Sequence, residues 1–268
     1  MFSALVMRSL ARTRNLFIVL AALVALFQVL MVVVASSFET SRSFDTLIAL
    51  APAVVQRSLG SSLGVLATFT GMVMMAYLHP IVVLTVVQFA AFVATEPVGE
   101  VETWLVDLVL ARPIARHWIV TRTLVVTFAL TVALAVAMLL ATWGGLMLLA
   151  PAGARWPAVS TVVSLAVHLV LVAWCFGALG LLAATFARRR GTAFAFVAVT
   201  AVCLYLLIAI ADAWAPAAPF RWISPFHYFR GFAIIGGTAP TARNLFVLAV
   251  PTVALSALAY WRFARQDL

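Results

Sequence analysis

Lysine is absent from all 268 residues, so the 17 cationic side chains are arginines. Acid is scarcer still, with eight carboxylates, and charged residues make up only 9% of the chain, against roughly 25% in ordinary soluble domains. Hydrophobic residues reach 66% and the mean hydropathy is +1.17; the solvent of this chain is a bilayer. The missing lysine excludes one chemistry outright. The phosphate-binding loop of nucleotide hydrolases needs a lysine after its glycines to reach the β and γ phosphates, and this chain has none to supply. Cysteine is also scarce: Cys175 and Cys203 each lie inside an apolar run, give neither a disulfide framework nor zinc-ligand spacing, and read as packing residues. No polar stretch is long enough for a separate soluble domain, and neither a fixed-period repeat nor a low-complexity tract is present, so residues 1–268 read as a single transmembrane domain.

What the chain does have is long apolar runs. A spanning helix needs about 20 mostly apolar residues, and six runs qualify, predicting an all-α integral membrane protein. Apolar Phe2, Leu5, Val6 and Leu10 alternate with Arg8 and Arg12, which predicts an N-terminal amphipathic elbow helix lying in the interface. The first span follows at Leu16–Ala35; it is longer than a signal-peptide core of about 7–15 residues. After a polar joint at 36–62, residues 63–95 are apolar for longer than one crossing needs, and His79-Pro80 interrupts them. The second crossing either begins near His79 or is longer and kinked there. The third is expected at Trp118–Leu149, the fourth at about Ala158–Phe186, the fifth at Thr192–Ala211 and the sixth at about Leu245–Trp261. Between the last two, a proline- and aromatic-rich segment with Trp214, Trp222, Phe226, Tyr228 and Phe229 reads as an interfacial belt, or less simply as an exit gate.

Arginine counts orient the chain. Eleven arginines (8, 12, 14, 112, 116, 122, 188, 189, 190, 262 and 265) fall beside the spans on one side, and six (42, 57, 155, 221, 230 and 243) on the other. Short basic loops stay cytoplasmic, so both termini are expected in the cytoplasm.

Half of the acid lies in one stretch on that same side. In "EPVGEVETWLVDLVLARPIARHW", Glu96, Glu100, Glu102 and Asp107 occupy twelve positions. Glu96-Pro97 is a helix start and Pro113 a stop. At 100° per residue Val101, Trp104, Leu105, Leu108 and Val109 share one face, with Glu100, Thr103 and Asp107 on another. A plain interfacial connector has this pattern too, but carboxylates are poor neighbours for an anionic leaflet, whereas a protein partner accounts for them.

At these residues the sequence resembles the type-2 permease subunits of ATP-binding cassette (ABC) exporters, the ABC-2 type family. Their cytoplasmic signature runs roughly acid, Gly-Thr, a leucine-rich run, then Ala-x-Pro-Val/Ile-Ser/Ala-Arg. Glu100, Thr103, Leu105, Leu108, Leu110, Ala111, Arg112, Pro113, Ile114 and Arg116 match it, while Glu102 stands where the family usually has glycine. "YLHP", "SPFHYFRG" and the tail "RFARQDL" are weaker echoes. The resemblance implies a cytoplasmic coupling helix between spans 2 and 3, with Glu96, Glu100, Glu102, Thr103, Trp104, Leu105, Asp107, Leu108, Arg112, Pro113 and Arg116 as its contacts to a separate ABC ATPase. It further implies two ATPase copies with ATP and Mg²⁺ bound there and no cofactor on this chain. A second permease subunit, identical or paralogous, and a place in the bacterial cytoplasmic membrane complete the picture. Scarce charge in the spans favours a hydrophobic cargo.

Two other function classes compete. An intramembrane enzyme would use Ser164 and His168, one helical turn apart, but the pair lacks an orienting acid and oxyanion donors; a hydrogen bond between packed helices is the plainer reading. An ion-driven transporter needs acids or histidines along its path and finds only His79 and His168, with Asp212 at a span end. Met72, Met75 and His79 would stack two thioethers and an imidazole on one continuous helix, a copper(I)-like set, although methionine is also a common filler. "RRR" at 188–190 reads as a topology anchor beside anionic lipid, or as an ATPase contact. Gly60 and Gly64 read as loop glycines, or as a close helix contact.

Overall fold

The computed structural model describes residues 2–41, 68–102, 117–237 and 241–265. Among them every regular element is helical, and six helices are long and apolar enough to cross a membrane. The first, α1 (Phe2–Ser41), is one uninterrupted helix. The expected separate elbow is therefore replaced by an extension of the first span. The reason is local: residues 2–41 contain neither proline nor glycine, so nothing removes a backbone donor or favours a turn.

The second span is broken. Helix α2 (Phe69–Leu78) starts at Thr68, whose hydroxyl accepts from the Gly71 amide at 3.0 Å, and ends at His79. Pro80 opens α3 (Pro80–Ala94), with His79 held extended at φ −61°, ψ 130°. Proline disfavours helical backbone in the residue before it, and the freed His79 imidazole caps α3 through Nδ1, 3.4 Å from the Ile81 amide. Met72, Met75 and His79 thus do not share one continuous helix. The His79 ring instead packs on Phe27 at 4.9 Å between centroids.

Beyond Thr95 a short helix α4 (Glu96–Glu102) begins. The remaining spans are α5 (His117–Leu149), α6 (Val159–Ala184), α7 (Arg190–Ala213) and, after the outer segment, a last helix at Thr241–Ala264. That outer segment is a 3-10 helix (Ala215–Ile223), α8 (Phe226–Phe229) and α9 (Gly231–Ile235), so the last span is α10. The expected aromatic belt divides here. Trp214 and Trp222 are exposed, whereas Phe226 and Phe229 are buried, Phe226 stacking on Phe176 at 5.2 Å and meeting Tyr205 edge-on at 5.3 Å.

Helix α6 is the centre of the bundle, packed against α3, α5, α7 and α10, while α1 lies along α5 and α2. Val86, Phe89, Leu165, Leu169 and Phe176 form the middle of the core. By contrast α1 and α7 leave Leu23, Leu26, Phe196, Val199 and Leu206 outward and open, a cost of about 25 cal/mol per Å² in water that disappears in hydrocarbon. One polar tie crosses the core: the Tyr77 hydroxyl lies 2.9 Å from Thr142 Oγ1, which lies 3.2 Å from Gln28 Oε1. This joins α2, α5 and α1.

Small residues set the α3–α6 distance. A Cβ on Gly180 would meet the Ala91 carbonyl oxygen at 3.3 Å and the Ala94 Cβ at 3.4 Å, so the helices approach as closely as glycine allows. Gly180→Val is expected to lower stability by about 1–3 kcal/mol, the usual cost of overpacking, read as a fall in melting temperature of the purified protein.

Candidate functional site

Where α3 turns into α4, the chain lays down Glu96 and Glu100 one helical turn apart, which puts both carboxylates on one side of α4. That side faces inward: Glu96 is 1% exposed and Glu100 is 2% exposed. A buried carboxylate needs paired charge or several donors; α1 and α5 supply them to these two, and α7 adds a bond to Glu102. From α1, the Ser9 hydroxyl donates to Glu96 Oε2, and Arg12 Nη1 sits 3.4 Å from Glu96 Oε1 and 3.5 Å from Glu100 Oε1. From α5, Arg122 grips Glu100 in a fork, Nη1 to Oε1 at 3.1 Å and Nη2 to Oε2 at 3.0 Å. Arg122 is itself only 1% exposed. From the N-terminus of α7, the backbone amide of Arg190 donates to Glu102 Oε2 at 3.1 Å. The Arg190 guanidinium donates to the Phe92 carbonyl at 2.8 Å and lies 4.0 Å above the Phe92 ring. Gly99 leaves room for it, since a Cβ there would stand 3.0 Å from Arg190 Cδ.

Of the acids expected as partner contacts, Glu96 and Glu100 are buried within the chain, paired with Arg12 and Arg122. Glu102 is exposed and accepts from the Arg190 amide of α7. Thr103, Trp104, Leu105, Asp107, Leu108, Arg112, Pro113 and Arg116 lie outside the described residues. Within "RRR", Arg188 and Arg189 are exposed while Arg190 turns inward. Gly60 and Gly64 lie outside the described residues as well.

Sequence reasoning missed Ser9, Arg12 and Arg122 as members of the node. Arg122 carried a usable signal. It stands six residues inside a 33-residue helix, and an arginine within a spanning helix needs a named partner; the acid-rich stretch just upstream was the nearest source. Arg12 had no such signal, because its acids lie 84 and 88 residues away.

The competing sites fare worse. His168 is buried on α6, and its Nδ1 lies 2.7 Å from the carbonyl oxygen of Ser164, while the Ser164 hydroxyl has no hydrogen-bond partner among the described residues. A nucleophile must bond its base through the hydroxyl, so the expected pair is a backbone contact. Among the described residues no three His, Cys, Asp or Glu side chains cluster as metal ligands. Cys175 is buried and Cys203 is exposed, and both are free thiols.

The node joins α1, α4, α5 and α7 at one end of a six-span bundle, through three acids of the acidic stretch, Glu96, Glu100 and Glu102. It is a buried, charged joint built from Glu96, Glu100, Arg12 and Arg122. No curated protein matches the sequence. A family model described as ABC-2 family transporter protein matches residues 8–268, through all six spans and the joint between them. The chain belongs to the ABC-2 family of transporter proteins.

Proposed function

We propose that this chain is the permease of an ATP-driven exporter, worked by a separate ABC ATPase that docks on the segment following α4. One observation carries the proposal: the buried pairing of Glu100 with Arg122 and Arg12. It fixes the start of the docking segment to α1 and α5 together, so a displacement applied beyond Glu102 is delivered to two spans at once. Residues 103–116 provide the docking surface, with Trp104, Leu105 and Leu108 as its apolar face and Asp107, Arg112 and Arg116 as its charges. In this reading Glu96 and Glu100 hold the lever, and Glu102 and the residues after it meet the partner.

ATP binding draws two ATPase subunits together, their grooves carry the docked segments, and the spans of two permease copies tilt to pass a hydrophobic cargo. The node end of the bundle then faces the cytoplasm of a bacterium, in keeping with the eleven arginines on that side. The lack of any lysine fits a chain that leaves nucleotide chemistry to its partner.

Co-purification tests the reading. The wild type should retain its candidate ATPase in mild detergent and in lipid, and Trp104→Ala with Asp107→Ala should lose most of it while its melting temperature is unchanged. An interface anchor of this type is worth about 2 kcal/mol or more, equivalent to at least about thirtyfold in affinity. A wild type that never holds an ATPase, in either medium, would contradict it.

A further inference from the structure

At the end of the bundle opposite the arginine–glutamate node, a cavity of about 740 Å³ lies between α2, α3 and α7 on one side and the 3-10 helix, α8 and α9 on the other. That volume is in the range of small-molecule sites. Met75, Leu78, Val83, Ile208 and Phe226 make much of its wall apolar. Against that wall stand Arg221, Arg230, His227 and Asp212, the one acid among the described lining residues. Asp212 is shared with Arg221, Oδ1 to Nη2 at 3.5 Å, and the same Nη2 donates to the Ala211 carbonyl at 3.0 Å. Arg221 Nε is buried with no hydrogen-bond partner among the described residues. Two arginines against one carboxylate leave the cavity a surplus of one positive charge.

The backbone holds that surplus in place. Arg230 has φ +32° and ψ +46°, the left-handed region, and no other non-glycine among the described residues has positive φ. Such a conformation persists only where its surroundings over-determine it, and it concentrates at ligand sites. Here the neighbour fixes it: a Cβ on Gly231 would overlap the Leu78 side chain, so α9 is seated on α2 through a glycine-only contact. Burial first, then Arg230 and Arg221, hold the His227 imidazole below its ordinary pKa, with Asp212 in partial opposition. The histidine is therefore neutral at neutral pH, and the arginines dominate the local field.

We propose that this cavity binds an amphiphile with a single anionic head group, a carboxylate or a phosphodiester, its head on the Arg230 and Arg221 guanidinium groups and its apolar part along Met75, Leu78 and Ile208. As a cargo site this rests on the permease reading above; as a binding site it stands alone and needs no ATPase to be tested.

The test is photolabelling of the purified chain in phosphatidylcholine nanodiscs with a diazirine-bearing hexadecanoic acid and with the matching alcohol, adducts being mapped by mass spectrometry. A charge-assisted bond to a carboxylate predicts about tenfold more labelling of the cavity wall by the acid than by the alcohol. Arg230→Gly removes the guanidinium while relaxing the left-handed backbone, so it should abolish the preference without unfolding the protein, whereas Arg230→Lys should keep it. Suppression of labelling by phosphatidylglycerol in the nanodisc identifies a bilayer lipid as the source of the anion. Suppression only by excess free fatty acid identifies an amphiphile that enters from outside the bilayer. Equal labelling by acid and alcohol, or a preference that survives Arg230→Gly, would overturn the proposal and leave the ATPase reading untouched.

Discussion

Arg122→Ala is expected to destabilise the protein by about 3–5 kcal/mol, because it strands the Glu100 carboxylate, 2% exposed, without its bidentate partner. Arg12 remains nearby at 3.5 Å, but at that length one nitrogen shared between two carboxylates is a weak substitute for a fork. Replacing both partners is expected to cost less than replacing either. Glu100→Leu with Arg122→Leu removes two buried charges together, and such exchanges are often close to neutral. Arg122→Lys should fall between, since an ammonium keeps the charge and loses the fork. The measurement is a double-mutant cycle on the unfolding midpoint in lipid-detergent micelles. A coupling energy near zero would mean that the two side chains are neighbours without being partners.

The pair also decides what reaches the spans. If Glu100 and Arg122 form the joint of a lever, the double leucine variant should fold, bind the ATPase and hydrolyse ATP with cargo transport reduced, because the docking segment has lost its charged hold on α5. This separates the joint from the docking surface, whose loss acts one step earlier.

The second large effect concerns that surface. Leu105→Asp with Leu108→Asp is expected to abolish ATP-driven transport while leaving the melting temperature of the chain unchanged. The two leucines lie three positions apart on the predicted apolar face of the segment after α4. Burying two new carboxylates against a partner groove without counter-charges costs several kcal/mol, more than a hundredfold in affinity. Transport in proteoliposomes with the ATPase added is the readout. Unimpaired transport in this variant would mean that the partner does not use this face.

Much of the fold is legible in the sequence because lipid imposes length and polarity together. The third span, expected at Trp118–Leu149, is found at His117–Leu149, and the fourth, expected at about Ala158–Phe186, at Val159–Ala184. His79-Pro80 marked the interruption of the second span, and the structure settles it as two helices joined at an extended histidine. The N-terminus was harder to read. Arg8 and Arg12 read as the polar face of a surface helix, and only tertiary structure shows Arg12 turned to carboxylates on α4. The same limit applies to Glu96 and Glu100. Helical periodicity separates a polar face from an apolar one, but it does not say whether the polar face meets water, a partner protein or the chain's own arginines. Gly180 lies in an apolar run with no turn signal beside it, and its role follows only from the α3 backbone packed against it.

The most direct test of the central claim is a photo-crosslinking amino acid placed at Asp107 and, as a control, at Leu148, which is exposed at the other end of α5. With the intact complex irradiated in lipid, position 107 should yield an adduct with the ATPase that intensifies when ATP is present, and position 148 should yield none. An ATPase adduct from position 148, or none from position 107 in a complex that still co-purifies, would contradict the assignment of this acidic segment as the place where the partner takes hold.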